Sequence, residues 1–103
     1  MGFQIGGAIL DFVVLCILRR QDSYGYQITQ QVRQILDVSE TSLYPALRRL
    51  QKAGLLTTYD QPWQGRNRRY CRLTGAGLTQ LAGQADQWRR FEREINQLLE
   101  GYQ

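Results

Sequence analysis

The sequence predicts a mainly α-helical domain with a small β-hairpin and one long C-terminal helix. Three observations carry that prediction. Apolar residues recur at helical spacing over four stretches. Two short β-rich runs flank a Pro/Gly turn between the third and fourth of these stretches. The last stretch holds apolar residues at alternating steps of three and four, a seam of heptad type. Residues 1–73 then make the compact part, and residues 74–103 a C-terminal helix suited to dimerisation. A chain of 103 residues suits one small core, which gains from a second subunit.

"GGAILDFVVLCILRR", residues 6–20, reads as the first helix. Its apolar run, residues 8–18, holds Asp11 and is about half the ~20 residues of a membrane span. A buried helix is the better reading. Being apolar nearly all round, it needs cover on more than one side. No basic region precedes it as in a secretory signal, so a cytoplasmic chain is expected, without a membrane partner. Ser23 is placed to cap a second helix with an inner stripe of Ile28, Val32 and Ile35 or Leu36. Ser39 is placed to cap a third, Glu40 to Ala53, with Gly54 at the position after its end.

"LLTTYD" and "RRYCRL" are β-like, and "QPWQGRN" between them is turn chemistry, giving a hairpin with a basic tip. Thr74 is placed to cap the last helix, roughly 75–100. Gly77 and Gly83 weaken that helix by about 1 kcal/mol each against Ala. Its seam is Leu78, Leu81, Ala85, Trp88, Phe91, Ile95, Leu98 and Tyr102. The seam faces a second copy or packs on its own domain; the uncovered side of the first helix favours the second copy.

The net charge is +4, and twelve of the thirteen basic residues are Arg. Arg suits bidentate contact with phosphates and base edges. The basic residues cluster at Arg48, Arg49 and Lys52 and again at Arg66, Arg68, Arg69 and Arg72. The chain has no histidine, no C-x-x-C and no phosphate loop, and Glu92 and Glu94 fall on different helix faces. An enzyme, a metal site and a cofactor are therefore not expected. Cys16 and Cys71 read as buried thiols.

Helix, helix, turn, helix and basic hairpin is the outline of a winged helix-turn-helix, whose third helix enters the major groove of double-stranded DNA. "ETSLYPALRRL", residues 40–50, fits that role. Leu43, Leu47 and Leu50 form an inner stripe; Thr41, Pro45, Arg48 and Lys52 form the outer one, flanked by Ser42 and Tyr44. Pro45 lies early in the helix, where one lost hydrogen bond is cheapest, and offers an apolar ring to a thymine methyl. Arg48 suits guanine or a phosphate. Arg66, Asn67 and Arg68 at the hairpin tip suit the adjacent backbone or the minor groove. The plainer reading is a solvated face and a solubilising turn. A different class of function, a winged module that holds a partner protein, predicts no need for Arg48 or the hairpin arginines.

The sequence resembles the PadR-type transcriptional regulators from about Ile9 to Leu99. The resemblance rests on "DSYGYQI" (22–28), "SLYPALRRLQKAGLL" (42–56) and "GRNRRYCRLTGAG" (65–77). It implies winged helix-turn-helix domains dimerised by a C-terminal helix, mostly bacterial repressors acting on pseudo-palindromic operators. Tyr24 and Tyr26 match tyrosines of the family's second helix, where phosphate contact is expected; on its residues alone Tyr26 suits the core equally. The chain departs from the pattern at Gln64, Asn67, Cys71 and Gly75. Its short C-terminal region resembles the small-ligand, multidrug-responsive branch, where a flat apolar pore forms between the last helices of the dimer. By that resemblance Trp88 stacks a planar aromatic ligand, with Ile9, Phe12, Ala85 and Glu92 lining the same space. A carboxylate beside the indole would favour a cationic ligand. The alternative for Trp88 is simple packing in the seam.

Overall fold

The first helix is apolar on nearly every side, and that makes it the hub of the structure. A computed structural model describes residues 7–103; Gly6, the first residue of the predicted helix, lies outside the described residues with the rest of 1–6. The elements are α1 (Gly7–Arg20), β1 (Ser23–Tyr24), α2 (Gly25–Arg33), α3 (Glu40–Lys52), β2 (Leu56–Trp63), β3 (Arg66–Leu73) and α4 (Gly75–Leu98). α1 touches α2, α3, α4 and β3. Val14 and Leu15 of α1 meet Ile28 and Val32 of α2, Leu43, Ala46, Leu47 and Leu50 of α3, and Leu56 and Cys71 of the hairpin in one buried cluster. Each large apolar side chain buried there contributes about 1.5–3 kcal/mol. Of the two candidates at the end of the α2 stripe, Leu36 is buried and Ile35 is 68% exposed.

Ser23 does not cap α2. It is fully buried in β1, its hydroxyl donating to the Gln21 carbonyl, and Tyr24 holds the cap position instead. The Tyr24 N–H donates to Gln27 Oε1 at 3.2 Å. β1 pairs antiparallel with β3, Ser23 opposite Cys71 and Tyr24 opposite Tyr70, so the sheet has three strands in the order β1-β3-β2. A two-residue strand carries too little periodicity to be read from sequence.

The hairpin is longer and tighter than predicted. Its strands run to Trp63 and from Arg66, Pro62 lies opposite Asn67, and Gln64 and Gly65 alone make the turn. Both have positive φ, 49° and 76°, the type I′ pattern that matches strand twist. At the end of α3, Gly54 takes φ +78°, and the Leu55 N–H reaches back to the Leu50 carbonyl. Thr74 ties this corner to α4: its hydroxyl donates to the Gly54 carbonyl at 2.6 Å and accepts the Gly77 N–H at 3.0 Å.

Gly77 is no weak point. A Cβ there would run into the Leu55 carbonyl oxygen and lie 2.7 Å from Leu73 Cδ1, so glycine is what lets α4 start against the hairpin. Gly77 and Leu81 are buried in the common core, and α4 then runs outward. Its 24 residues span about 36 Å. Along that length Leu78, Trp88, Phe91, Ile95 and Leu98 of the seam are exposed, and Ala85 is half-buried; Tyr102, the last residue of the predicted seam, lies beyond the helix end at Leu98, after Gly101 at φ +86°, and is exposed. Among the described residues, no helix is long and apolar enough to cross a membrane.

Candidate nucleic-acid interface

α3 buries Leu43, Ala46, Leu47 and Leu50, which turns the predicted outer stripe to solvent. Thr41, Ser42, Tyr44, Arg48 and Lys52 are exposed and Pro45 is half-buried. Pro45 leaves the Thr41 carbonyl without its helix donor at a residue that water reaches. Ser39 occupies the cap position, but its hydroxyl turns to Thr41 Oγ1 at 2.9 Å and Ser42 Oγ at 3.1 Å and bonds no backbone N–H. The first turn of α3 thus presents three clustered hydroxyls, each able to donate or accept.

Tyr44 has a structural contact that sequence reasoning missed. A Cβ built on Gly25 would lie 3.3 Å from its ring and hydroxyl, so the ring rests over the start of α2. The neighbouring residue, Tyr24, meets the hairpin: the Arg68 guanidinium carbon lies 3.9 Å from the centre of its ring. α3 and the hairpin therefore converge on Tyr24 and Gly25. Tyr26, 62% exposed, stands beside them and is not core.

Arg68 is not a free tip residue. It is half-buried, with its guanidinium carbon also 3.7 Å from the centre of a Trp63 ring. Arg66 and Asn67 lie nearer the turn and are exposed. Period-2 alternation puts Tyr59 and Trp63 of β2 on one face with Arg68, Tyr70 and Arg72 of β3, a pattern present in the sequence but not used there. Tyr59 and Tyr70 stack at 5.6 Å between ring centres, and Tyr70 meets Tyr24 edge-on at 5.5 Å. Asp22 anchors the far end, accepting the Tyr59 hydroxyl at 2.6 Å and Arg72 Nε at 3.2 Å. The hydrogen bond to Asp22 pushes the Tyr59 hydroxyl above the ordinary phenol range.

Ion pairs sort the arginines. Arg49 is held by Asp11, Arg69 by Asp60 and Arg72 by Asp22. Among the described residues Arg48, Lys52, Arg66 and Arg68 form no ion pair, and all are residues the sequence assigned to DNA contact. No group of residues there is arranged to hold a metal ion.

A profile of the transcriptional regulator PadR-like family matches residues 14–83, most of the chain. The chain belongs to the PadR-like family. The family is one of transcriptional regulators rather than enzymes. The chain is also similar to the crystal structure of smu.1704 from Streptococcus mutans, with a TM-score of 0.90 and 37% identity over 98% of this chain and 95% of that one. A PadR family transcription regulator from Clostridium difficile matches with a TM-score of 0.80 and 32% identity over 87% of this chain and 97% of that one. Bacillus subtilis PadR, solved in complex with operator DNA, shares the fold, with a TM-score of 0.68 and 23% identity over 75% of this chain and 47% of that one.

In this PadR-like chain Ile9, Phe12, Ala85 and Trp88, four of the five residues that the resemblance matched to an effector site, line grooves between α1 and α4. Phe12 and Trp88 face each other at 6.4 Å between ring centres, and Phe91 lies 6.0 Å beyond. Grooves open on either side of that pair. The smaller, about 240 Å³, has Ile9, Phe12, Gln84, Trp88 and Phe91 in its walls and no charged group. The larger, about 680 Å³, adds Ala85 but carries Arg19, Arg20 and Arg89 against the single carboxylate of Asp86. Glu92 lines neither groove, so in one chain the charge does not favour a cation. Cys16 borders the larger groove, half-buried where a buried thiol was expected, while Cys71 is buried. Burial pushes both thiols above their ordinary range.

Proposed function

We propose that the protein is a homodimeric, sequence-specific DNA-binding regulator, acting as a repressor on a pseudo-palindromic operator. The observation that carries this reading is the meeting of α3 and the hairpin at Tyr24 and Gly25. On this reading Arg48 and Lys52 of α3 and Arg66 and Arg68 of the hairpin, which form no ion pair among the described residues, serve one surface. Arg48, Pro45, Thr41 and Ser42 read bases or adjoining phosphates from α3; Tyr44, Tyr26 and Tyr24 contact the backbone beside it. Arg66, Asn67 and Arg68 hold the flanking phosphates. The operator complex of the distant Bacillus subtilis PadR supports the same use of the fold.

Residues 74–103 act as the dimerisation segment and 1–73 as the DNA-binding part. The exposed seam of α4 supports that division, because its large apolar residues have no cover among the described residues of one chain. A dimer must set its two α3 helices about 34 Å apart to enter successive major grooves. A planar aromatic ligand between Phe12 and Trp88 at the dimer interface then releases DNA if it prefers another spacing.

The test is binding of the purified protein to duplex fragments, including its own upstream region, across a salt series. Selective binding with a steep negative salt slope, lost in Arg48→Ala, is expected. A well-folded protein that binds no fragment selectively at low salt sinks the reading.

A further inference from the structure

We propose that Trp63 is a positioning residue for DNA binding: with Tyr24 it clamps the Arg68 guanidinium so that only the in-plane N–H edge faces a backbone phosphate. The proposal rests on the regulator reading above. Two rings lie against the guanidinium, its carbon 3.7 Å from the centre of Trp63 and 3.9 Å from that of Tyr24. Guanidinium is weakly hydrated on its faces, while its five donors lie in its plane. Stacking therefore covers the part of Arg68 that has little use for water and leaves the part that binds oxyanions.

Three further observations separate this clamp from ordinary packing. Among the described residues, no carboxylate pairs with Arg68, although Arg69 and Arg72 on the same strand are both paired. Trp63 is 46% exposed, so it adds little to the core cluster, of which it is not a member. The two rings come from different places, one from the wing strand β2 and one from the N-cap of α2. Arg68 thus fixes the wing relative to the start of α2, where Tyr44 of the recognition helix also rests. β1 holds Tyr24 in place through its pairing with Tyr70. The wing's pose and the phosphate fork are set by one stack.

The experiment uses the full chain and a labelled duplex of its own upstream DNA. Affinity is measured from about 0.05 to 0.3 M salt, with thermal melting of each variant alongside. Trp63→Ala is expected to weaken binding about tenfold at low salt, as the stack is lost. Trp63→Phe keeps a ring and stays within about twofold of wild type. Arg68→Lys keeps the charge but not the planar fork, so the salt slope holds while affinity falls about tenfold. Arg68→Ala loses about two units of slope per bound dimer, one for the phosphate contact of each protomer. A Trp63→Ala protein that melts lower but binds DNA as wild type does would show packing alone and overturn the proposal. An Arg68→Ala protein with the wild-type slope overturns it as well. If the wild type binds no duplex at any salt, the regulator reading falls first; wild-type binding with indifferent variants removes this inference alone.

Discussion

Arg49 Nη2 sits 2.9 Å from Asp11 Oδ1 and so joins α3 to α1. The contact spans 38 residues of sequence. Asp11 is the one charge in an apolar run, and this pair explains why it is tolerated there. Its side chain is 24% exposed and that of Arg49 is 53%, so the pair is partly screened and contributes at most about 1 kcal/mol. Asp11 also adjoins Phe12, which faces Trp88, so the pair connects the α1/α4 groove to α3. Asp11→Asn is expected to lower stability by about 0.5–1 kcal/mol in chemical denaturation. It also frees Arg49, so binding to non-specific duplex gains salt dependence. An unchanged denaturation midpoint and an unchanged slope together would show that the pair does nothing in solution.

Gly77→Ala separates local propensity from packing. Helix propensity alone predicts a gain of about 1 kcal/mol in the body of a helix. The structure predicts the opposite sign, because the new methyl meets the Leu55 carbonyl and Leu73. A loss of about 1–3 kcal/mol is expected, visible as a fall in melting temperature of several degrees. A variant more stable than wild type would mean that α4 starts farther from the hairpin than described.

Gly77 shows why part of the fold was legible in the sequence and part was not. The helices, the cap at Thr74 and the corner at Gly54 follow from periodicity and local chemistry, which act within a few residues; Ser39 takes the expected cap position, but its hydroxyl bonds its neighbours' hydroxyls instead of a backbone N–H. The α3 outer stripe was legible for the same reason: three buried leucines dictate which side faces out. Gly77, Tyr44 over Gly25, and the β1 strand depend on contacts between segments far apart in sequence, and nothing local marks them. Ser23 looked like a cap because its residue type suits one; burial opposite Cys71 put it to another use. The clamp around Arg68 was half legible. Alternation places Trp63 and Arg68 on one face, but only the third strand brings Tyr24 to the guanidinium.

The thiols make a prediction in pH. Burial raises both above the ordinary thiol value, so both are protonated, and poor nucleophiles, at neutral pH. Alkylation of the folded protein by iodoacetamide near pH 7.5, followed by intact mass, is expected to run at least tenfold slower than for the unfolded chain. The folded rate should climb only as pH rises past the ordinary thiol value of about 8.5. Cys16, half-buried, should react before Cys71. Equal folded and unfolded rates at neutral pH would contradict the burial of these groups.

The seam of α4 makes the last prediction. Phe91 and Ile95 are 49% and 37% exposed, and Leu98 is 83% exposed, in a helix that leaves the core after Leu81. The described residues of one chain set nothing against them, and the sedimenting species should have twice the 12.0 kDa mass of the chain. Ile95→Arg puts a charge at the centre of that seam without touching the buried cluster or any residue near α3. It is expected to shift the protein to monomer in sedimentation equilibrium and to keep the helical circular dichroism of the folded domain. Operator affinity should fall by at least a hundredfold, because the second half-site is no longer delivered at high effective concentration. Non-specific binding per chain should change far less, since Arg48, Lys52 and the wing are untouched. A variant that remains dimeric would place the interface elsewhere than on α4, and a monomer with full operator affinity would remove the half-site argument.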